Sequence, residues 1–259
     1  LMILNSLDGS VIAADTMPDG RESYMPPLYF KQPDGTENIV FGTGGETIDG
    51  NLYRCTLADL RNNDISQSTI ISSDTSGHGF IAPSVAVDLN DDGFYDVVSI
   101  SHGSNISAID GKNNAVLWTQ HVPNTESSNG FAVGNFNGDQ TPDLFTFVSE
   151  GVWPQSRGSI QVMLDGKTGK IGYTNTLGCT GFSSPVIYDL NDDGVDEAII
   201  SINEYDCEVG FTSPQDIEVT TKLLAIDFKN NKIQNIEELA LFKNIFSTPW
   251  IGDLDQDGY

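Results

Sequence analysis

The sequence predicts an all-β fold built from repeated four-stranded antiparallel units, and three observations carry that prediction. The first is a recurring acidic loop, "DLNDDGFYD" at 88–96, "NFNGDQTPD" at 135–143, "DLNDDGVDE" at 189–197 and "DLDQDGY" at 253–259. The loop starts lie 47, 54 and 64 residues apart, the period range of a repeat architecture. The second is the strand-like sequence on either side of the loops. "SVAV", "FAVG", "PVIY" and "PWIG" precede them, and "VVSIS" (97–101), "LFTFV" (144–148) and "AIISI" (198–202) follow the first three. Such short β-branched and aromatic runs read as buried strands, so each loop joins two strands as a hairpin. The third is a second hairpin, strand, polar turn and strand, at "SAIDGKNNAVLW" (107–118), "VMLDGKTGKIGY" (162–173) and "LAIDFKNNKIQN" (224–235). Each unit therefore has strands A to D, with the acidic loop between A and B, a variable B–C connection, and an Asp-containing turn between C and D. Units of this kind with no helical periodicity between them predict a β-propeller whose blades are the units. A parallel β-helix with calcium turns is the structural rival, but its rungs are shorter and lack paired hairpins.

Taken in order, residues 1–25 form a partial blade, in which "NSLDGSVIA" (5–13) repeats the C–D element. Blades follow at about 26–80, 81–128, 129–181 and 182–245, and 246–259 begin a further one. In the first full blade "PPLYFKQPDGTENIVFGTG" (26–44) supplies strands A and B, but its loop is shorter and Lys31 stands where an acidic ligand would be. No metal is expected there. "FGTGGETIDG" (41–50) is Gly-rich, yet the strand-like "NLYRC" follows it instead of a helix, so no phosphate cradle forms. The last loop stops at Tyr259, before its ninth position, and the chain reads as a segment of a larger ring.

The D-x-[DN]-x-D-G-x-x-[DE] hairpins resemble FG-GAP/VCBS-type repeats, as in integrin α-subunit propellers. The "AIDGKNNAVLW" and "LDGKTGK" turns resemble PQQ-like, quinoprotein-type propeller repeats. Together the resemblances cover nearly the whole chain, and they imply a propeller fold with calcium in its hairpin loops. They do not imply a quinone site, because no adjacent cysteine pair is present.

One such loop reads as a solvated turn, but its repetition at this spacing points to a bound cation that offsets the repulsion of the crowded acids. An EF-hand would place a bidentate Glu at the twelfth position, where Ser99, Thr146 and Ile200 stand instead, so that reading fails. Calcium takes six to eight oxygens, which these loops offer from alternate side chains, a backbone carbonyl at the seventh position and a closing carboxylate. The expected ligands are Asp88, Asn90, Asp92, Phe94 (carbonyl) and Asp96 in the first loop, and Asp189, Asn191, Asp193, Val195 (carbonyl) and Glu197 in the third. The second offers Asn135, Asn137, Asp139, Thr141 (carbonyl) and Asp143, and the fourth Asp253, Asp255, Asp257 and Tyr259 (carbonyl). The second loop is expected to bind most weakly, because Asn135 is neutral and Gly138 comes two places earlier than the glycine of its neighbours, leaving Gln140 at the sixth position. The expected role of the ion is structural, with no catalytic residue and no other cofactor.

A net charge of −25 argues against nucleic acid and anionic membranes as partners. No apolar run approaches the ~20 residues that span a bilayer, so no membrane insertion is expected in this segment. His78, His102 and His121 have no metal-binding spacing and read as exposed loop residues, and no G-x-S-x-G elbow occurs. The long B–C connections at 150–159 and 203–221 hold Trp153, Arg157, Tyr205 and Phe211, residue types enriched in binding surfaces. Asn105-Ile-Ser is a glycosylation sequon expected in another B–C loop. Cys179, in a D–A connection, and Cys207, in the next B–C connection, project from one end of one blade and are expected to pair, while Cys55 sits in a strand. Together these features imply a secreted or cell-surface, calcium-stabilised propeller that binds a protein or glycan in adhesion or recognition. The alternative is a propeller enzyme, a polysaccharide lyase or hydrolase or a quinoprotein-like dehydrogenase.

Overall fold

The structure, a computed structural model, describes residues 1–153, 155–179, 183–208, 218–240 and 248–252. The chain divides into two compact units, Leu1–Pro123 and Asn124–Tyr259. The first contains β1 (Met2–Leu4), β2 (Val11–Ala14), β3 (Leu28–Lys31), β4 (Glu37–Gly42), β5 (Gly50–Thr56), helix α1 (Leu57–Arg61) and β6 (Thr69–Asp74). It continues with β7 (Val85–Val87), β8 (Asp96–Ile100), β9 (Asn105–Ile109) and β10 (Val116–His121). The second unit contains β11 (Thr125–Glu126), β12 (Ala132–Gly134), β13 (Asp143–Glu150), β14 (Gly158–Leu164), β15 (Ile171–Thr176), β16 (Val186–Tyr188), β17 (Glu197–Glu204), β18 (Thr220–Asp227) and β19 (Lys232–Ala240).

Three sheets pair each strand antiparallel with its neighbour in sequence, in the orders β3-β4-β5-β6, β7-β8-β9-β10 and β16-β17-β18-β19. The sheet of β13, β14 and β15 has β12 and β11 both on β13, at successive stretches of it, and β1 and β2 form a hairpin of their own. This simple up-and-down order is that of propeller blades, and the chain is an all-β protein of the β-propeller class. Second strands such as β8 (DVVSI) and β13 (DLFTFVSE) are buried on both faces, which is why their apolar residues run consecutively. Fourth strands such as β15 (IGYTNT) are mostly exposed, and this one ends in three consecutive polar residues.

The C–D hairpins share one turn. Asp110 N donates to Ala115 O at 2.8 Å and Asn114 N to Asp110 O at 2.9 Å. Asp165 with Lys170 and Gly169, and Asn5 with Ser10 and Gly9, make the same two bonds. The fifth residue of this turn is left-handed, with φ of 64° at Asn114, 69° at Gly169 and 74° at Gly9, a conformation that favours Gly or Asn. The opening "NSLDGSVIA" is thus the same element as the later hairpins. A register shift interrupts the third-to-fourth strand pairing in each of the four large sheets, a bulge that adds twist to the outer edge.

Within the first unit the sheet β3–β6 packs on β7–β10 through Phe30, Val40, Leu52, Phe80, Val97 and Ile109. Gln32, buried, clamps the two polar edges together: its Nε2 donates to Tyr95 O and its Oε1 accepts from Tyr95 N, both at 2.8 Å. Arg54 adds a bond from Nη1 to Gly111 O at 2.8 Å. In the second unit Asn135 and Asp196 exchange the corresponding bonds, Asp196 N to Asn135 O at 2.9 Å and Asn135 N to Asp196 Oδ2 at 2.7 Å. An aromatic cluster of Phe136, Phe145, Phe228 and Tyr173 fills the space beneath.

Helix α1 is an addition to the all-strand expectation. It forms because Thr56 and Asp59 make a reciprocal capping box, and it buries Leu60 against Ile39, Phe41 and Ile65. Asn105 begins strand β9 instead of lying in a loop. The packing at Gly111 is tight enough to test. A Cβ there would collide with the Tyr95 carbonyl oxygen. Gly111→Ala is expected to cost about 1–3 kcal/mol through overpacking, read as a lower midpoint in urea unfolding.

Candidate functional site

The acidic loops are nests of backbone N–H groups folded onto their own carboxylates. In the first, Asp88 accepts from Asp92 N at 3.3 Å and Gly93 N at 2.9 Å, Asn90 Oδ1 from Asp92 N at 3.0 Å, and Asp92 Oδ1 from Phe94 N at 2.9 Å. The third repeats the pattern, with Asp189 accepting from Asp193 N and Gly194 N at 3.1 and 2.9 Å, and Asp193 Oδ1 from Val195 N at 3.0 Å. Both loops turn left-handed twice, at Asp91 and Gly93 (φ 58° and 82°) and at Asp192 and Gly194 (φ 55° and 81°).

The second loop differs in a way the sequence misleads about. Its left-handed residue is Gly138, at φ 79°, which matches Asp91 and Asp192 in position. Gln140 is not left-handed, so no unfavourable turn falls on it, and the expected cost there is absent. The reason is a tighter closure, in which Gly138 N donates to Asn135 Oδ1 at 3.0 Å. Asn135 also donates from Nδ2 to Gly194 O at 2.8 Å, so its amide is spent on the adjoining third loop. Asp253, Asp255, Asp257 and Tyr259 of the fourth loop lie outside the described residues.

The closing acids are buried. Asp96 and Asp143 are 0% exposed and Glu197 3%. Asp96 accepts from Leu89 N and from Gly111 N, each at 2.9 Å, so it ties its own loop to the C–D turn. Asp143 does the same with Phe136 N and Asn137 N at 3.1 and 3.0 Å and Gly166 N at 3.1 Å. Glu197 accepts from Leu190 N at 2.7 Å and from Asn191 Nδ2 at 3.0 Å. Burial pushes the Asp143 carboxyl up to about 6 against the pull of these N–H groups, and it raises Asp96 and Glu197 too. Nearby acids push the same way: Asp139 on Asp143, Asp110 and Asp88 on Asp96, and Asp227, Asp189 and Asp193 on Glu197.

Carboxylates, amides and carbonyls are the hard oxygen donors calcium takes, so these loops fit it in kind. Among the described residues, no three His, Cys, Asp or Glu side chains converge as a cage. The loop turns are formed, and their carboxylates rest on backbone N–H groups.

At the other end of the blades the connections diverge. Arg157 is exposed, Trp153 and Tyr205 are half-buried, and Phe211 lies outside the described residues. Trp153 N donates to Glu126 Oε2 at 2.9 Å. Cys179 and Cys207 form a disulfide with Cα atoms 5.2 Å apart, pinning the start of the long β17–β18 connection to the turn before β16. Cys55 is buried and free, and burial pushes its thiol up to about 11. In the first unit the same end holds a buried acid, Asp74, which accepts from Ser101 Oγ at 2.5 Å, Ser76 N at 2.9 Å and Asn105 Nδ2 at 2.9 Å. The sequon amide thus faces a buried carboxylate. His102 is buried, with its ring 5.5 Å from that of His78, whose Nδ1 meets Glu46 O at 2.8 Å, so only His121 keeps the expected exposure. Sequence spacing does not signal this cluster, because its members come from three separate connections.

No protein-family model matches the chain, and no curated protein matches it. Solved structures similar to it include BamB from Moraxella catarrhalis, at 14% identity and a TM-score of 0.39, over 85% of this chain and 53% of that one. An exo-β-1,3-galactanase, 1,3Gal43A from Clostridium thermocellum, is similar at 10% identity and a TM-score of 0.39, over 81% and 48%. The C-terminal WD40 domain of Sif2 follows at 8% identity and a TM-score of 0.33, over 76% and 67%. The chain spans about half the length of the first two. The strand order of the sheets, not these low scores, carries the fold class. Among the described residues no helix is long and apolar enough to cross a membrane.

Two outcomes test this end of the blades. Burial opposes ionisation of Asp74, but the bonds from Ser101, Ser76 and Asn105 outweigh it and hold the group below the ordinary carboxylate range. A depressed folded-state pKa gives stability that is present above the unfolded value and lost as pH falls through the folded one. Asp74→Asn is therefore expected to cost about 1–3 kcal/mol at pH 7, with the gap to wild type closing in acid, as urea melts across that range would show. Reducing the Cys179–Cys207 bond, or Cys207→Ser, is expected to lower stability by about 3.6 kcal/mol, the chain-entropy value for a loop of 28 residues. Calorimetry with and without reductant measures it.

Proposed function

We propose that the chain belongs to an extracellular, calcium-stabilised β-propeller of FG-GAP/VCBS and PQQ-like type that binds a protein or glycan partner. The observation that carries this reading is the division of labour between the two ends of β17. Its first residue, Glu197, is the buried closing acid of a loop whose donors suit calcium. Its eight residues span roughly 27 Å, and beyond them Tyr205 leads into the disulfide that pins the long connection. Disulfides persist in oxidising compartments, where millimolar calcium fills even weak oxygen sites. Calcium at one end would fix the hairpins, leaving the connections with Trp153, Arg157 and Tyr205 to meet the partner at the other. Asp88, Asn90, Asp92 and the Phe94 carbonyl would hold the ion in the first loop, and Asp189, Asn191, Asp193 and the Val195 carbonyl in the third, with Asp96 and Glu197 closing them. The second loop would bind last, since Asn135 is committed to Gly194.

Calcium titration with the melting temperature as readout tests the metal. An ion bound only by the folded state stabilises it by about 2.7 kcal/mol at a hundredfold excess over Kd. A melt that chelator leaves unmoved rejects calcium. A panel of glycans and extracellular proteins then tests binding: Trp153→Ala and Tyr205→Ala are expected to weaken capture about tenfold while calcium affinity stays constant. Unchanged capture in both variants places the partner surface elsewhere.

A further inference from the structure

Three C–D turns carry a lysine two residues after their aspartate: Asp110 and Lys112, Asp165 and Lys167, Asp227 and Lys229. In two of them that lysine crosses to the acidic loop of its own blade. Lys112 Nζ lies 3.8 Å from Asp92 Oδ2 and 5.0 Å above the Phe94 ring. Lys229 Nζ lies 3.1 Å from Asp193 Oδ2 and donates to Asp193 O at 3.1 Å. Asp92 and Asp193 are the same, fifth, residue of their loops, so two blades place one ammonium on the equivalent carboxylate. Among the described residues no such pair joins Lys167 to Asp139, the fifth residue of the second loop. Lys229 also lines an open groove of about 470 Å³ with Asn137, Asp193 and Gly194.

We propose that Lys112 and Lys229 are resident counter-ions of the first and third loops, which hold the fifth carboxylate when no divalent ion is bound and are displaced when one binds. The proposal rests on the calcium reading for its second half only. Its physical basis is simple. The lysines are drawn from a chain with 12 basic and 37 acidic residues, and they stand beside the carboxylate a calcium ion would share. Both ammonium groups are about half exposed, so each pair is weak enough to open. A divalent ion on the same carboxylate would repel the ammonium at this range, so the lysine and the ion compete.

The test compares Lys112→Gln, Lys229→Gln and Lys167→Gln in the full chain, with Lys229→Arg as the charge-keeping control. In chelator the first two are expected to melt about 1–3 °C lower than wild type, with Lys167→Gln and Lys229→Arg unchanged. Titration calorimetry with calcium chloride is expected to give about 3- to 10-fold tighter binding in Lys112→Gln and Lys229→Gln alone. Equal melts in chelator overturn the counter-ion role, and unaltered or weaker calcium affinity overturns the competition. Should wild type and all variants take up no calcium, the calcium reading and the competition fall together, while the chelator melts still decide the counter-ion role.

Discussion

A carboxylate at the head of the second strand organises each acidic blade. Asp96 and Asp143 are sealed from solvent, and each gathers N–H groups from the A–B loop before it and from the C–D turn beyond it. A buried charge is tolerable only when its lone pairs are occupied, and hydrogen bonds to a charged group contribute about 1.5–3 kcal/mol each. That requirement fixes both turns at the same end of the blade. It also leaves the carboxylate in an unfavourable setting, since burial and neighbouring acids together raise Asp143 to about 6. The loops therefore contain a local electrostatic tension, of the kind the proposed cation would relieve.

The same ends carry the seam between blades within each unit. Tyr95 and Asp196 occupy the eighth position of their loops, and each docks on the preceding blade, at Gln32 and Asn135. In one case a buried glutamine side chain imitates a peptide group, and in the other the backbone itself makes the bond. This seam explains why the second loop departs from the acidic pattern. Aspartate at 135 would lack the Nδ2 donor that reaches Gly194 O, and it would add charge beside Asp196. The residue that removes a charge from the loop thus supplies a contact between blades.

Away from these ends the connections are free to vary, because the strands between carry the packing. The long β17–β18 connection leaves the sheet beside a disulfide, and Cys179 Sγ also reaches Tyr205 O at 3.1 Å. Cross-linking the base of a long segment reduces its conformational freedom.

The strands, the hairpins and the Cys179–Cys207 pair were legible in the sequence because each depends on local chemistry. Short β-branched and aromatic runs and polar turns are properties of short stretches, and the cysteine pair follows from the order in which those stretches repeat. Helix α1 was not legible, because a single turn held by the Thr56–Asp59 capping box is too short to show a period. What only the tertiary structure decided is where each polar atom is used. Asp96 meets Gly111 across 15 residues and Gln32 meets Tyr95 across 63, and nothing in either local pattern marks the partner. The burial of His102 and the commitment of Asn105 to Asp74 were decided in the same way. The sequence by itself determined which segments extend and turn, since sterics act between neighbours. The fold decided which acids are clasps and which are paired with lysine, since those roles depend on solvent exclusion and on charges brought together from distant blade positions.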